Sequence, residues 1–239
     1  MGRPNKPLIS RKRAARAALS VIDVQGLSSL SLELVARRLG VKAPSLYYHF
    51  KNKSELLAEV ARLLLVDIEA PKFDRTNWDE TLIDLCKATR RMILQHPNAA
   101  PLLLRYFPRN ILLSAYDLWI SVCPYPPEDK LAILEGTEKL TFASALFEAS
   151  ARANAIEPMP QFDPAEFPAL AEAMRANPHD EEQLFEETVR RFLMGFRVSR
   201  RDVDKNPLPM AKPQLKRKNT PQQAPSAQKR SPKKTAKAK

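Results

Sequence analysis

Between Leu30 and Leu57 the chain reads LSLELVARRLGVKAPSLYYHFKNKSELL, and this spacing leaves few folds open. Ser31 carries the hydroxyl of an N-cap, able to accept from the N–H groups of the next turn. Leu32, Val35, Ala36 and Leu39 recur at helical spacing and mark one buried face. Gly40 follows the last apolar position, where a left-handed residue ends a helix at little cost. Val41 fills the corner, and Pro44 suits the first turn of a second helix, where its missing N–H is no loss. Leu46 and Phe50, four apart, face the core. Ser45, Tyr48 and His49 therefore point outward, with Tyr47 at the edge of that surface. Asn52 or Lys53 opens a further helix through Leu56, Leu57, Val60, Ala61 and Leu64. Upstream, Ser10 to Val24 is amphipathic, with Ala14, Ala17, Ala18, Val21 and Ile22 as its apolar stripe and Arg11, Lys12, Arg13 and Arg16 as its basic side. Gly26 terminates it. Two short helices about a Gly-Val turn, packed on a third, are the layout of a helix-turn-helix. Its second helix enters the major groove of DNA while its flanks grip phosphates.

Charge agrees with that reading. The formal net charge is +12, but unevenly distributed. Residues 1–53 carry +9, residues 54–204 carry −8 and residues 205–239 carry +11. A basic end built on a helix-turn-helix meets the requirement of phosphate binding, and an acidic centre orients that end toward the duplex.

Gly26-Leu27, Ser31-Leu32, Val35-Ala36, Leu39-Gly40-Val41, Leu46-Tyr47-Tyr48-His49-Phe50 and Lys53-Ser54-Glu55-Leu56-Leu57 occur in order and without gaps. Together they resemble the N-terminal domain of the tetracycline-repressor (TetR) family of bacterial transcription regulators, over about residues 9–60. The resemblance implies that Lys42, Ala43, Pro44, Ser45, Tyr47, Tyr48 and His49 face DNA and that Lys53 contacts a phosphate. One position departs from it: Glu33 stands where tetracycline repressors carry a base-reading arginine. A carboxylate accepts from a cytosine amino group but repels phosphate, so the operator sequence does not carry over. For Tyr47 a second reading stands beside the first, packing against the first helix.

Beyond Trp78 the pattern stays helical and is broken at prolines. Helices are expected at 78–95, 102–107, 111–122, 128–155, 164–176 and 181–200, with no alternating β pattern between them. The expected fold is all-α: a three-helix helix-turn-helix domain over residues 1–60, a larger helical bundle over 61–203, and a disordered Lys/Pro-rich tail over 204–239. The bundle more weakly resembles the family's regulatory domain, in the Arg90 to Leu104 segment and in Phe185 to Arg197. That likeness implies a ligand pocket inside the bundle and a homodimer built by the long helix near 128–155 and the last helix. Phe107, Tyr116, Trp119, Phe142 and Phe147 read either as the lining of a pocket for a small apolar or aromatic effector or as ordinary core. His96 reads either as a ligand-sensing group or as a helix C-terminal histidine favoured by the dipole.

Cys86 and Cys123 form no CxxC pair and read as buried apolar groups. The three histidines lie far apart, and no metal-ligand spacing, phosphate-cradling glycine loop or G-x-S-x-G stands in the chain. No enzyme, cofactor or metal is therefore expected. No apolar run reaches the 18 residues of a membrane span, and no secretory signal opens the chain. The expected place is the cytoplasm, at the nucleoid. The tail holds 11 basic residues and 6 prolines, with no acid and no aromatic. Within it Lys229-Arg-Ser-Pro-Lys-Lys234 resembles linker-histone tails, against the plainer reading of a solvated polycation. Arg3-Pro4 reads as an N-terminal arm for a minor groove. The leading function is a homodimeric repressor released from a double-stranded DNA operator by a small molecule. The alternative is an architectural nucleoid protein driven by the tail.

Overall fold

The computed structural model describes residues 9–157 and 159–203. The expectations for Arg3-Pro4 and for the tail lie outside these residues. Every regular element among the described residues is helical.

The first helix, α1 (Arg11–Gln25), is capped by Ser10, whose Oγ accepts from the Arg13 N–H. It ends at Gly26, where φ is +79° and a side chain would be strained. After a 3-10 turn at Leu27–Ser29, α2 (Leu32–Leu39) starts from Ser31, whose Oγ accepts from Leu34 N at 3.1 Å. Gly40, left-handed at φ +68°, closes it. The second helix of the motif, α3 (Ala43–Tyr47), has Pro44 in its first turn. It is only five residues long, and Tyr48 and His49 form the turn after it. Asn52 caps α4 (Lys53–Val66), accepting from Glu55 N at 3.0 Å.

The remainder comprises α5 (Trp78–Leu94), α6 (Leu102–Arg105), α7 (Arg109–Val122), α8 (Pro127–Ala153), α9 (Pro168–Ala176) and α10 (Glu181–Val203). The expected helix at 164–176 begins four residues late, at Pro168. A proline ring clashes with the carbonyl four residues back, so it is tolerated in a first turn and not inside the helix. α8 ends two residues early, before Ala155, which takes φ +52°. α6 stops at Arg105, short of Phe107.

Two apolar clusters hold these helices. The first joins Ile22, Val35, Leu46, Phe50, Leu56 and Leu64 to Ile93, Leu102, Leu103, Ala145 and Ala149, so the helix-turn-helix and the bundle share one core. The expected boundary at residue 60 falls inside α4. The second gathers Trp78, Leu82, Ile83, Tyr125, Ile133, Phe185, Val189 and Leu193. Four ion pairs clamp α5 to α10: Lys87 to Glu186 at 2.5 Å, Arg91 to Glu182, Arg190 to Glu80, and Arg197 to Asp79 at 2.7 Å. Cys86 and Cys123 are free thiols in the interior, and burial pushes the Cys86 thiol up to about 11. No helix among the described residues is long and apolar enough to cross a membrane.

Candidate nucleic-acid interface

Leu46 is fully buried and Phe50 is 1% exposed, and this sets the orientation of α3. Lys42, Pro44 and Ser45 are exposed, and Ala43, His49 and Lys53 are half-buried. Tyr48 stands 94% exposed on the surface, while Tyr47 is 49% exposed and its hydroxyl donates to Glu33 Oε1 at 3.2 Å. About half of Tyr47 is exposed to solvent, and its hydroxyl is tied to α2, not to α1 as the packing reading expected.

Glu33 and Tyr47 alter each other's proton affinity. The Glu33 carboxyl is held below its ordinary range, first by its own backbone N–H and then by the Tyr47 hydroxyl. Accepting that proton raises the Tyr47 phenol, so Tyr47 remains a donor at neutral pH.

Most of the basic side of α1 is engaged within the protein. Arg11 donates to the His49 carbonyl and lies 4.3 Å over the Phe50 ring, stapling the end of α3. Lys12 and Arg16 each reach Asp67 at 2.8 Å, where α4 ends. Arg38 Nη2 donates to Ser20 Oγ at 2.5 Å. Composition assigned these cations to the basic end as a whole. Their acceptors lie 18 to 55 residues away, and no local pattern pairs them.

In the bundle, a cavity of about 370 Å³ lies between the end of α4 and helices α5, α7 and α8. Tyr116, Trp119 and Phe142 line it, with Leu65 and Val66 of α4, Leu82 and Cys86. Phe107 is outside the lining and packs edge-on against Phe142 at 4.9 Å. Phe147 is 81% exposed and faces a separate open groove between α8 and α10. His96 lies elsewhere, its Nδ1 2.9 Å from Asp23 Oδ2, and the neighbouring Asn98 donates to the Asp23 carbonyl. His96 thus holds the bundle against the end of α1.

The hydroxyls of Thr89, Thr137 and Thr141 donate to backbone carbonyls one turn back, which leaves the cavity wall largely apolar. Its polar exception is Glu138, which accepts from Tyr116 at 2.5 Å and from Arg109 at 3.2 Å. Burial, reinforced by Glu138, raises the Tyr116 phenol and keeps it protonated. Among the described residues, no three His, Cys, Asp or Glu side chains are grouped to hold a metal.

With that geometry in view, residues 15–60 match the profile of bacterial regulatory proteins, tetR family. An HTH-type transcriptional regulator of Saccharopolyspora erythraea is 31% identical over 97 residues, 41% of each chain. The tetracycline repressor of class A from transposon 1721 of Escherichia coli is 33% identical over 87 residues, 36% of this chain and 40% of that one. The chain thus matches about two fifths of the length of these curated relatives. Apo ActR from Streptomyces coelicolor superposes with a TM-score of 0.64 at 22% identity, over 83% of this chain and 99% of that one. The complex of ActR with actinorhodin gives a TM-score of 0.62 at 23% identity, over 80% and 96%. These likenesses show that the fold extends across the bundle.

The bridge from α1 to Asp67 predicts a pH dependence. The hydrogen bonds from Lys12 and then Arg16 hold the Asp67 carboxyl below the ordinary aspartate value of 3.8. A depressed folded value means stability that is present above 3.8 and lost as pH falls through the folded value. Asp67→Asn is expected to lower stability at pH 7 by no more than about 1 kcal/mol. Urea melts followed by circular dichroism should show variant and wild type converging below pH 4. A constant gap across that range would contradict the assignment.

Proposed function

Because residues 15–60 match the profile of bacterial regulatory proteins, tetR family, we propose that the chain is a homodimeric transcriptional repressor of that family. It binds a double-stranded DNA operator and is released by a small apolar or aromatic molecule held in the bundle. In this reading residues 1–60 contact DNA, with Lys42, Ala43, Pro44, Ser45, Tyr47, Tyr48 and His49 toward the groove and Lys53 toward a phosphate. Residues 61–203 sense the ligand and form the dimer, and the basic 204–239 segment adds phosphate contacts.

One observation carries the proposal. α4 begins at Lys53, beside the reading surface, and ends with Leu65 and Val66 in the wall of the cavity. At about 1.5 Å per residue its 14 residues span roughly 21 Å. A ligand that favours one position of the far end of α4 biases the position of α3 by at most its difference in affinity for the two positions. Glu138, beside an otherwise apolar wall, suits a ligand carrying a hydrogen-bond donor. The complex of ActR, a protein of this fold, with actinorhodin supports a small-molecule ligand.

The α8 and α10 surface supports the dimer. Phe147 and Leu184 are exposed large apolar groups on the groove between those helices, and Gly136 brings the α8 backbone against Phe192 of α10. A second copy covering this face places two α3 helices on one side of a duplex. Successive major grooves on one face of a duplex require those helices to stand about 34–36 Å apart, one helical turn.

Four outcomes are expected. Selection from a random duplex library, followed by footprinting, should yield a pseudo-palindrome protected by the full-length protein; sequence-independent coverage would overturn the proposal. Lys53→Ala should weaken all duplexes alike and reduce the salt slope by about one unit. Phe147→Arg should elute as a monomer and lose operator affinity, whereas an unchanged dimer would move the interface elsewhere. Finally, Ala115→Trp, which fills the cavity, should leave operator binding intact and abolish release by any inducer found for the wild type.

A further inference from the structure

Glu33 is exposed in the first turn of α2, and the first helix of a helix-turn-helix ordinarily crosses the phosphate backbone. A carboxylate there is repelled by phosphate. In this structure, however, Glu33 Oε1 is 3.2 Å from the hydroxyl of Tyr47, on the second helix. That bond ties the carboxylate to the half-exposed Tyr47 at the edge of the outward surface of α3. It also defines which groups remain available. The Tyr47 proton is committed to Glu33, and the carboxylate has accepting capacity left over. Arg37, one turn along α2, and the Ser31 hydroxyl add to the forces that keep Glu33 ionised. The pair is therefore a fixed anionic acceptor at the edge of a basic surface.

Few groups on a duplex suit such an acceptor. The major-groove donors are the N4 amino group of cytosine and the N6 amino group of adenine. Adenine N6 stands next to N7, an acceptor that opposes the second carboxylate oxygen. Thymine presents an oxygen and a methyl group, and guanine presents two acceptors. Cytosine alone offers a donor without an adjacent acceptor on the same base. We infer that Glu33, oriented by the Tyr47 hydroxyl, is a specificity-determining residue that selects cytosine at one symmetrically repeated position of the DNA target. The inference rests on the DNA-binding reading proposed above and adds to it the identity of one base and of the side chain that reads it.

The test uses full-length wild type, Glu33→Gln, Glu33→Ala and Tyr47→Phe, each selected against the same random duplex library. The best wild-type duplex and its single-base variants are then titrated by fluorescence anisotropy at fixed salt. Wild type should enrich a cytosine in each half-site, and its replacement by any other base should weaken binding roughly tenfold or more. Glu33→Gln should move the preference at that position to adenine, because an amide pairs with N6 and N7 together. Glu33→Ala should keep the rest of the motif and reduce the penalty there to about twofold. Tyr47→Phe should leave cytosine preferred with a smaller penalty, since the carboxylate loses its fixed orientation. The inference is overturned if both Glu33 variants select the wild-type base. It is overturned equally if they keep the wild-type motif and bind every duplex more tightly by one common factor, which is the signature of simple repulsion. An unchanged penalty in Tyr47→Phe would remove the orienting role. A wild type that enriches no motif fails earlier, on the DNA-binding reading itself.

Discussion

A helix of five residues does not persist in water by itself, because nucleating one turn fixes three residues for a single hydrogen bond. The outward face of α3 therefore depends on the burial of Leu46 within it and Phe50 just after it. Each such side chain contributes about 1.5–3 kcal/mol on leaving water. That exceeds the few tenths of a kcal/mol by which propensity distinguishes most residues in so short a helix. Arg11 adds to the effect by bonding the His49 carbonyl and covering the Phe50 ring. The outward surface of α3 thus follows from an interior contact: Tyr48 projects because Leu46 and Phe50 cannot.

That interior is continuous with the bundle. The apolar cluster that holds α3 also contains Ile93, Leu102 and Ala149, and His96 reaches back to Asp23 at the end of α1. Two further links, Lys12 and Arg16 to Asp67, fix the far end of α4 to the same helix. A displacement at the cavity wall therefore meets packed side chains and ion pairs rather than a slack linker. Close-packed interiors transmit such strain. The arrangement supports coupling between ligand and DNA without requiring a large rearrangement of either part.

The local features of this fold were legible in the sequence, and the distant ones were not. Ser10, Ser31 and Asn52 act as caps, Gly26 and Gly40 act as stops, and all five signals lie within a turn of the helix they bound. The apolar stripes of α1, α2 and α4 follow from spacing alone. The partners of Asp67, Asp23 and Glu33 are set by tertiary packing across 14 to 73 residues, beyond the reach of any periodicity. For the same reason, an aromatic on a helical stripe does not announce its destination. Tyr116, Trp119 and Phe142 reach the cavity, Phe107 packs behind it and Phe147 turns outward. α7 shows the limit from the other side: it is apolar enough to be read as core, yet none of its residues is fully buried.

The central claim is that one short helix, anchored from within, is presented twice at a spacing that fits a duplex. Nitroxide labels at Lys51→Cys, an exposed position in the turn after α3, would measure it, because Cys86 and Cys123 are buried. Double electron–electron resonance on the full-length protein bound to its selected duplex should give a single narrow inter-protomer distance compatible with recognition helices about 34–36 Å apart. A broad distribution, or no distance between protomers on that DNA, would contradict the claim.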